Sequence, residues 1–312
     1  MRLLITGGLG HIGSYFLGNL STELQLDEVV VIDSLQTQRI TSLFNLPKSP
    51  RISFHEMDVR DLESKFYSRI GNIDFVIHLA ALTDASGTLD ERDYLFNNNL
   101  ESTRSIIRFS GENRIPVIFP STTSVYGSQS DLVDENCGEL VPQSPYAECK
   151  LEEERLIVEA AGDGLSTVVL RFGTIHGISP GMRFHTAVNK FCFQVASGLP
   201  ISVWRTALDQ KRPYLALSDA NNAVAHVISK SLFEGEIYNV LTDNHTVAEI
   251  VAAIQQSTTK KCEIEFVDSK IMNQLSYEVS NRKFLSTGFK FHGDLLSDVN
   301  KTMNLLGGIK NE

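Results

Sequence analysis

Tyr146 and Lys150 stand four residues apart in the run Ser144-Pro145-Tyr146-Ala147-Glu148-Cys149-Lys150. Pro145 suits the first turn of a helix and Ser144 the cap before it, so both side chains are expected on one helix face. A lysine ammonium beside a phenol favours the phenolate and draws the tyrosine pKa down from about 10. Such a pair makes a general base, taking a hydroxyl proton while hydride leaves the same carbon. The lysine can also hold a ribose. Taken alone, the spacing is common. About twenty residues earlier, Ser121-Thr122-Thr123-Ser124-Val125-Tyr126-Gly127 sets hydroxyls at the end of an apolar run. A hydroxyl there can bond a substrate oxygen beside the tyrosine; by itself the cluster reads as a turn.

A second constellation opens the chain. Thr6-Gly7-Gly8-Leu9-Gly10-His11-Ile12-Gly13 follows the apolar Leu3-Leu4-Ile5 directly. A strand ending in a glycine turn that opens a helix is a phosphate cradle, because backbone N–H groups and the helix N-terminus attract an anion. Gly8, Gly10 and Gly13 fit the dinucleotide spacing G-x-G-x-x-G, whereas Gly7, Gly10 and Gly13 fit a looser G-x-x-G-x-x-G. Asp33 lies twenty positions after Gly13. A carboxylate there accepts bonds from both adenosine ribose hydroxyls and repels a 2′-phosphate, which points to NAD rather than NADP. Arg39 would soften that preference if turned inward, and a solvated loop arginine is the plainer expectation. Asp58 either meets an adenine amino group or caps a helix over Leu62–Ile70. Leu79-Ala80-Ala81 closes a strand with small residues against which a flat cofactor can lie, and His78 before it reads as a packed histidine.

The elements that must carry these groups follow from the pattern. Short apolar runs at Leu3–Thr6, Val29–Ile32, Ile52–Phe54, Asp74–Leu79, Pro116–Pro120 and Ser166–Phe172 alternate with helical stretches such as His11–Leu20 and Glu91–Phe109. This rhythm predicts an α/β fold, a doubly wound parallel Rossmann sheet. The second half is mixed, with strands at Arg212–Leu217, Glu236–Val240 and Cys262–Val267 and helices at Phe184–Ala196, Ala220–Leu232 and Val247–Ser257, the last opened by a Thr246/Glu249 capping box. The expected division is a dinucleotide-binding domain over 1–173, with 212–233 returning to it, and a smaller mixed α/β substrate lobe over 174–312. At 312 residues, 42% hydrophobic and 21% charged, the composition is that of a soluble globular protein. A net charge of −10 argues against a nucleic-acid surface. Cys137, Cys149, Cys192 and Cys262 have neither C-x-x-C spacing nor a histidine cluster, so reduced thiols in a cytoplasmic protein are expected rather than a disulfide framework or a metal site. With the first strand starting at Arg2, no leader is expected, and no apolar run reaches the roughly 18 residues a membrane span needs.

Jointly these residues resemble the extended short-chain dehydrogenase/reductase family, and within it the nucleotide-sugar epimerases and dehydratases. The resemblance extends over nearly the whole chain, through Arg171–Gly177, Gln210–Asp219 and Gly235–Val240. It implies Thr122, Tyr146 and Lys150 as the catalytic triad. It implies Gly7, Gly10, His11, Ile12, Gly13, Asp33, Asp58, Val59, Leu79, Ala80, Ala81 and Asn99 on the NAD side, with Asn99 structural or cofactor-facing, and Tyr146 and Lys150 shared. It makes the looser Gly7/Gly10/Gly13 spacing the meaningful one, with Gly8 an extra permissive residue. Arg212 matches a position that binds a diphosphate, and its fork suits phosphate. Arg183, Asn189 and a nucleobase-stacking Trp204 are further substrate candidates. Thr174 stands where the family usually has Asn, and Pro213 where it usually has Asp. Dehydratases carry Asp-Glu after the triad hydroxyl, where this chain has Thr123-Ser124. The expected activity is therefore 4-epimerisation of a UDP- or dTDP-sugar through a transient 4-keto sugar. A 4-ketoreductase or dehydratase and a non-catalytic NAD-binding regulator are the alternatives. A homodimer through Glu91–Phe109 and Tyr146–Ala160 is implied.

Overall fold

The computed structural model describes residues 1–20, 24–83, 89–204, 208–267 and 276–309. In chain order its first half runs β1 (Arg2–Thr6), α1 (His11–Gly18), β2 (Glu28–Asp33), β3 (Arg51–Glu56), α2 (Ser64–Ile70), β4 (Phe75–His78), α3 (Leu89–Asn113), β5 (Val117–Thr122), β6 (Leu132–Val133), α4 (Pro145–Gly162) and β7 (Thr167–Phe172). The second half runs β8 (Thr174–His176), α5 (Ala187–Ala196), β9 (Ile201–Trp204), β10 (Lys211–Ala216), α6 (Leu217–Lys230), β11 (Glu234–Val240), β12 (Asp243–Thr246), α7 (Val247–Gln256), β13 (Ile264–Val267), β14 (Glu278–Val279), α8 (Arg282–Ser286) and α9 (Leu295–Leu306).

Seven strands form one parallel sheet in the order β11-β7-β5-β4-β1-β2-β3. Its central strands are buried on both faces, which is why β1, β2 and β5 are continuously apolar rather than alternating. Leu3, Ile5, Val29 and Val31 pack on one face with α1 and α6. Leu4, Val30, Ile32 and Phe119 pack on the other with Phe66 of α2, Phe109 of α3 and Ile157 of α4. The order reverses at β1/β4, so a crevice opens beyond their carboxyl ends, where doubly wound sheets bind ligands.

A second core joins α5, α7 and α9 with β9 and Tyr214. Three small sheets accompany it, β12-β10-β8, β13-β9 and β14-β6. The chain's return to the main sheet differs in extent from 212–233. Residues 211–216 are β10, paired with β8 and β12 in a small sheet. The return begins with α6, whose Asn221 Nδ2 donates to Asn19 O at 3.0 Å, and is completed by β11 at the sheet edge. An apolar strand read without partners carries no information about which sheet it joins.

Local signals set the helix ends. Ser144 accepts from Ala147 N ahead of Pro145 in α4, and Thr246 and Glu249 form the reciprocal capping box of α7. The four cysteines are free thiols, and among the described residues no helix is long and apolar enough to cross a membrane.

One buried charge pair fixes α4 to the sheet. Arg171 of β7 donates through Nε and Nη2 to Glu154 of α4, at 3.0 and 2.7 Å. Its Nη1 donates to Tyr126 Oη at 2.9 Å, and Tyr126 donates to Asn239 Oδ1 of β11 at 2.9 Å. Ser121 of β5 also donates to Glu154. Burial alone would lower the Arg171 pKa, but the Glu154 carboxylate outweighs it and holds the guanidinium above its ordinary range. Arg171→Met leaves Glu154 buried and unpaired and is expected to cost about 3–5 kcal/mol in denaturant unfolding. The double variant Glu154→Gln/Arg171→Met should regain most of that loss; an equal loss in the double variant would show that the pair's charge is not what is felt.

Candidate active site

The crevice is a cleft of 630 Å³, within the range of small-molecule sites. At its floor Gly7 has φ +65°, and a Cβ there would sit 2.6 Å from Ala80 N and 2.7 Å from Leu79 C. Only hydrogen fits where β1 and β4 converge. Gly10 and Gly13 line the cleft with Gly7, and Gly8 does not. Gly8 is nevertheless not merely permissive: its Cβ would meet Val31 Cγ1 at 2.6 Å, and a Cβ on Gly13 would meet Gly8 O at 2.5 Å. Helix α1 thus rests on the turn itself. Its N-terminus at Gly10 has no side-chain cap, leaving first-turn N–H groups beside His11, Ile12 and Gly13 for an anion.

Asp33 ends β2 at the cleft and accepts from Leu9 N at 3.1 Å and Leu35 N at 3.0 Å, one bond per carboxylate oxygen. Remaining lone pairs suit ribose hydroxyls. Arg39 is not a solvated loop side chain. It is half-buried, lines the cleft and brings Nη1 within 3.9 Å of the space above Gly10. Asp58 and Val59 line the far end. Asp58 caps the short 3₁₀ turn Val59–Asp61 rather than the helix that follows. It also accepts Arg60 Nη2 at 2.6 Å, and that bond holds its carboxyl below the usual range. Leu79, Ala80 and Ala81 form one wall. Asn99 lies behind it, outside the lining: it accepts from Leu82 N at 2.8 Å and donates to Leu82 O at 2.9 Å, so it positions the wall instead of meeting the cofactor.

Thr122, Tyr146 and Lys150 line the same cleft. Thr122 ends β5, and its Oγ1 accepts from Ser124 N at 3.2 Å, which leaves its hydroxyl hydrogen to donate. Thr123 turns inward to donate to Phe172 O at 3.3 Å. Burial pushes the Tyr146 phenol above its ordinary pKa; Lys150 and Arg183 oppose the shift, and Glu153 adds to it. Burial works against the Lys150 ammonium, but Glu153 and Tyr146 hold its pKa above the usual value. The Lys150 Nζ lies 3.2 Å from Glu153 Oε2.

Thr174 and Arg183 line the cleft from the second lobe. Asn189 is buried and outside the lining; it donates to Arg183 O at 3.0 Å and so holds the loop rather than a ligand. Arg212 is half-buried on β10, also outside the lining. The Trp204 side chain lies outside the described residues. His11 reaches across to donate from Nε2 to Gly177 O at 3.0 Å, while Gly181 N donates to Ser14 Oγ at 2.9 Å. These bonds tie the segment after β8 to the glycine turn and α1. Sequence reading misses Thr83, Ser102, His185 and Thr186 in the lining, since no motif marks them. It also misses Glu153, which sits in a run of acids that looks like a solvated face.

The glycine cradle, the uncapped helix and the Asp33 carboxylate fit an adenine dinucleotide. Asp33→Asn is expected to weaken NAD binding about 10–100-fold by calorimetry, from losing charged hydrogen bonds; an unchanged affinity would remove Asp33 from the ribose site. Two cleft histidines make stability pH-dependent. Burial lowers His11 to about 4, opposed by its bond to Gly177, and lowers His78 to about 3, with Lys150 adding. Both stay neutral when folded but protonate below about 6.5 when unfolded, so the unfolded state binds more protons. Unfolding free energy should fall as pH drops from 6.5 toward 4, by up to about 1.4 kcal/mol per pH unit for each residue. His78→Asn should make that slope shallower in denaturant titrations; a slope that does not change excludes His78 as its source.

Comparison with known proteins agrees with this architecture. The model of the NAD dependent epimerase/dehydratase family matches residues 3–240. An uncharacterized UDP-glucose epimerase of Bacillus subtilis, YtcB, is 26% identical over 278 residues, covering 86% of this chain and 85% of that one. The Thermus thermophilus UDP-glucose 4-epimerase in complex with NAD superposes with TM-score 0.83 at 25% identity over 99% of both chains. The fold is also that of a Bacillus cereus UDP-glucuronic acid 4-epimerase in complex with UDP-glucuronic acid and NAD, with TM-score 0.88 at 22% identity over 98% of this chain and 99% of that one. The chain belongs to the NAD dependent epimerase/dehydratase family, and NAD is its cofactor.

Proposed function

We propose that the chain is a nucleotide-sugar 4-epimerase acting on a UDP-sugar. The observation that carries this reading is that Thr122, Tyr146 and Lys150 line the same cleft as Asp33 and the glycine turn. When bound, NAD supplies a reversible hydride acceptor. Tyr146 removes the proton of the sugar 4-hydroxyl, and Thr122 donates a hydrogen bond to the same oxygen. Lys150 keeps a positive charge near the phenol as it ionises. The glycine cradle and Asp33 would hold NAD so that it could exchange hydride with C4; once the 4-keto sugar has turned its other face to that side, the proton that Tyr146 returns to the C4 oxygen gives the epimer.

The distribution of acids speaks against dehydration. Removing water across a hexose needs an acid near the triad. Among the described cleft-lining residues the carboxylates are Asp33 and Asp58, both beside β2 and β3. The two positions after Thr122 offer only Thr123, bonded to Phe172 O, and Ser124. Arg183 in the lining and Arg212 on β10 are the cations this reading assigns to the sugar nucleotide's anionic groups. A cytoplasmic homodimer belongs to the same reading. Helices α3 and α4 lie side by side and leave Tyr94 and Val158 exposed, which supports pairing through them.

The test is incubation of the purified protein and NAD with UDP-glucose, UDP-galactose or UDP-glucuronic acid, followed by chromatography. Interconversion of C4 epimers without net NADH formation is expected. Stoichiometric NADH or NADPH consumption with a 4-keto sugar nucleotide would instead identify a ketoreductase. Tyr146→Phe should lower turnover by about 10²-fold or more while NAD still binds; full activity in that variant would end the proposed mechanism.

A further inference from the structure

Glu152, Glu153 and Glu154 follow one another on α4 and serve different ends. Glu152 is exposed and pairs with Arg155. Glu154 is the partner of Arg171. Glu153 is fully buried, and neither the fold's anchoring pair nor the base mechanism above uses it.

Its surroundings form a chain of hydrogen bonds with one direction throughout. Ala80 N donates to Thr6 Oγ1 at 3.2 Å. Thr6 Oγ1 lies 2.7 Å from His78 Nδ1, and His78 Nε2 lies 3.3 Å from Thr103 Oγ1. Thr103 donates to Glu153 Oε1 at 2.7 Å. Since the Thr103 hydrogen goes to Glu153, Thr103 accepts from His78, which fixes the imidazole proton on Nε2 and makes Nδ1 the acceptor from Thr6. The chain starts on the cleft wall at Ala80 and ends on a carboxylate 3.2 Å from the Lys150 ammonium. The Phe119 ring lies 4.6 Å from the Lys150 Nζ. An unpaired carboxylate in this setting would be strongly destabilising, and a leucine would meet the packing need alone. The acid is placed for the lysine.

We propose that Glu153 is a positioning residue of the active site: its carboxylate anchors the Lys150 ammonium and sets how strongly that ammonium acts on Tyr146. The proposal rests on Tyr146 being the base. Lys150 is one helical turn from Tyr146 and Glu153 about two turns, so the phenol feels the ammonium first and the carboxylate as a partial cancellation. The other groups facing Tyr146 are Cys149 on its own helix and Arg183 from the segment ahead of α5. Lys150 also faces His78 of β4, which stays neutral, and Glu153 faces Thr103 of α3. Burial works most strongly against phenolate formation; among the neighbouring groups Glu153 acts in the same direction, and Cys149 does so less. Glu153 thereby holds the ammonium in place while offsetting part of its pull on the phenol.

The measurement is the phenolate absorbance near 295 nm as pH is raised, taken as the difference between each protein and its Tyr146→Phe counterpart. It needs neither substrate nor knowledge of the reaction. Glu153→Gln is expected to move the Tyr146 midpoint down by about one pH unit, giving about tenfold more phenolate at fixed pH. Glu153→Leu removes the same charge with an apolar side chain and should shift the midpoint the same way, so loss of fold in one variant leaves the other to decide. Thr103→Val keeps the charge but breaks the bond that holds it. It should lower thermal stability and leave the midpoint near that of the wild type. A midpoint that stays or rises in both Glu153 variants overturns the proposal, as does an equal shift in Thr103→Val. If sugar interconversion is observed, the acid limb of its pH profile should move down in Glu153→Gln. Absence of that activity alongside a shifted midpoint would count against the proposed reaction and not against the role of Glu153.

Discussion

The position of helix α4 relative to the carboxyl end of β5 is the constraint on which the reacting half of the site depends, and a buried ion pair maintains it. Glu154 receives Arg171 of β7 and Ser121 of β5, while Arg171 also bonds Tyr126, which in turn bonds Asn239 of β11. Three strands and one helix are thereby joined through groups whose separation is costly in a dry interior. Thr122 is next to Ser121, and Tyr146 and Lys150 are two turns and one turn up the helix from Glu154. A slip of α4 along the sheet would break the pair as it displaced Tyr146 and Lys150.

The cofactor half is held by close approach instead of charge. Gly7, Gly8 and Gly13 allow β1, β4 and α1 to come nearer than any side chain permits. His11 bonds Gly177, and Ser14 bonds Gly181. The glycine turn and α1 thus also serve as a joint to the segment after β8. This accounts for the burial of His11 and Ser14, which a cofactor role alone does not explain.

Much of this was legible in the residues. The βα rhythm, the glycine turn, Asp33 and the Tyr146/Lys150 spacing each follow a local rule, and local rules survive folding when the parallel sheet buries its apolar runs. Asn99 and Asn189 show where the reading stops. Both lie next to the site in sequence, yet the fold turns them into the wall, bonding Leu82 and Arg183 main chain. Arg39 goes the other way, from a loop into the cleft. Nothing in the type of a polar side chain says whether it faces a ligand or braces the backbone behind one.

The sequence by itself determined the class of fold, the dinucleotide turn and the presence of a phenol–ammonium pair, because each depends on spacing within one element or across one strand–turn–helix unit. Tertiary structure decided what long-range packing alone can decide. It put β10 in the small sheet and brought α6 and β11 back to the large one. It also separated three identical neighbours, Glu152 in solvent, Glu153 under Lys150 and Glu154 on Arg171. A helix turns 100° per residue, so adjacent side chains meet different surroundings. Which surroundings those are depends on strands far away in the chain.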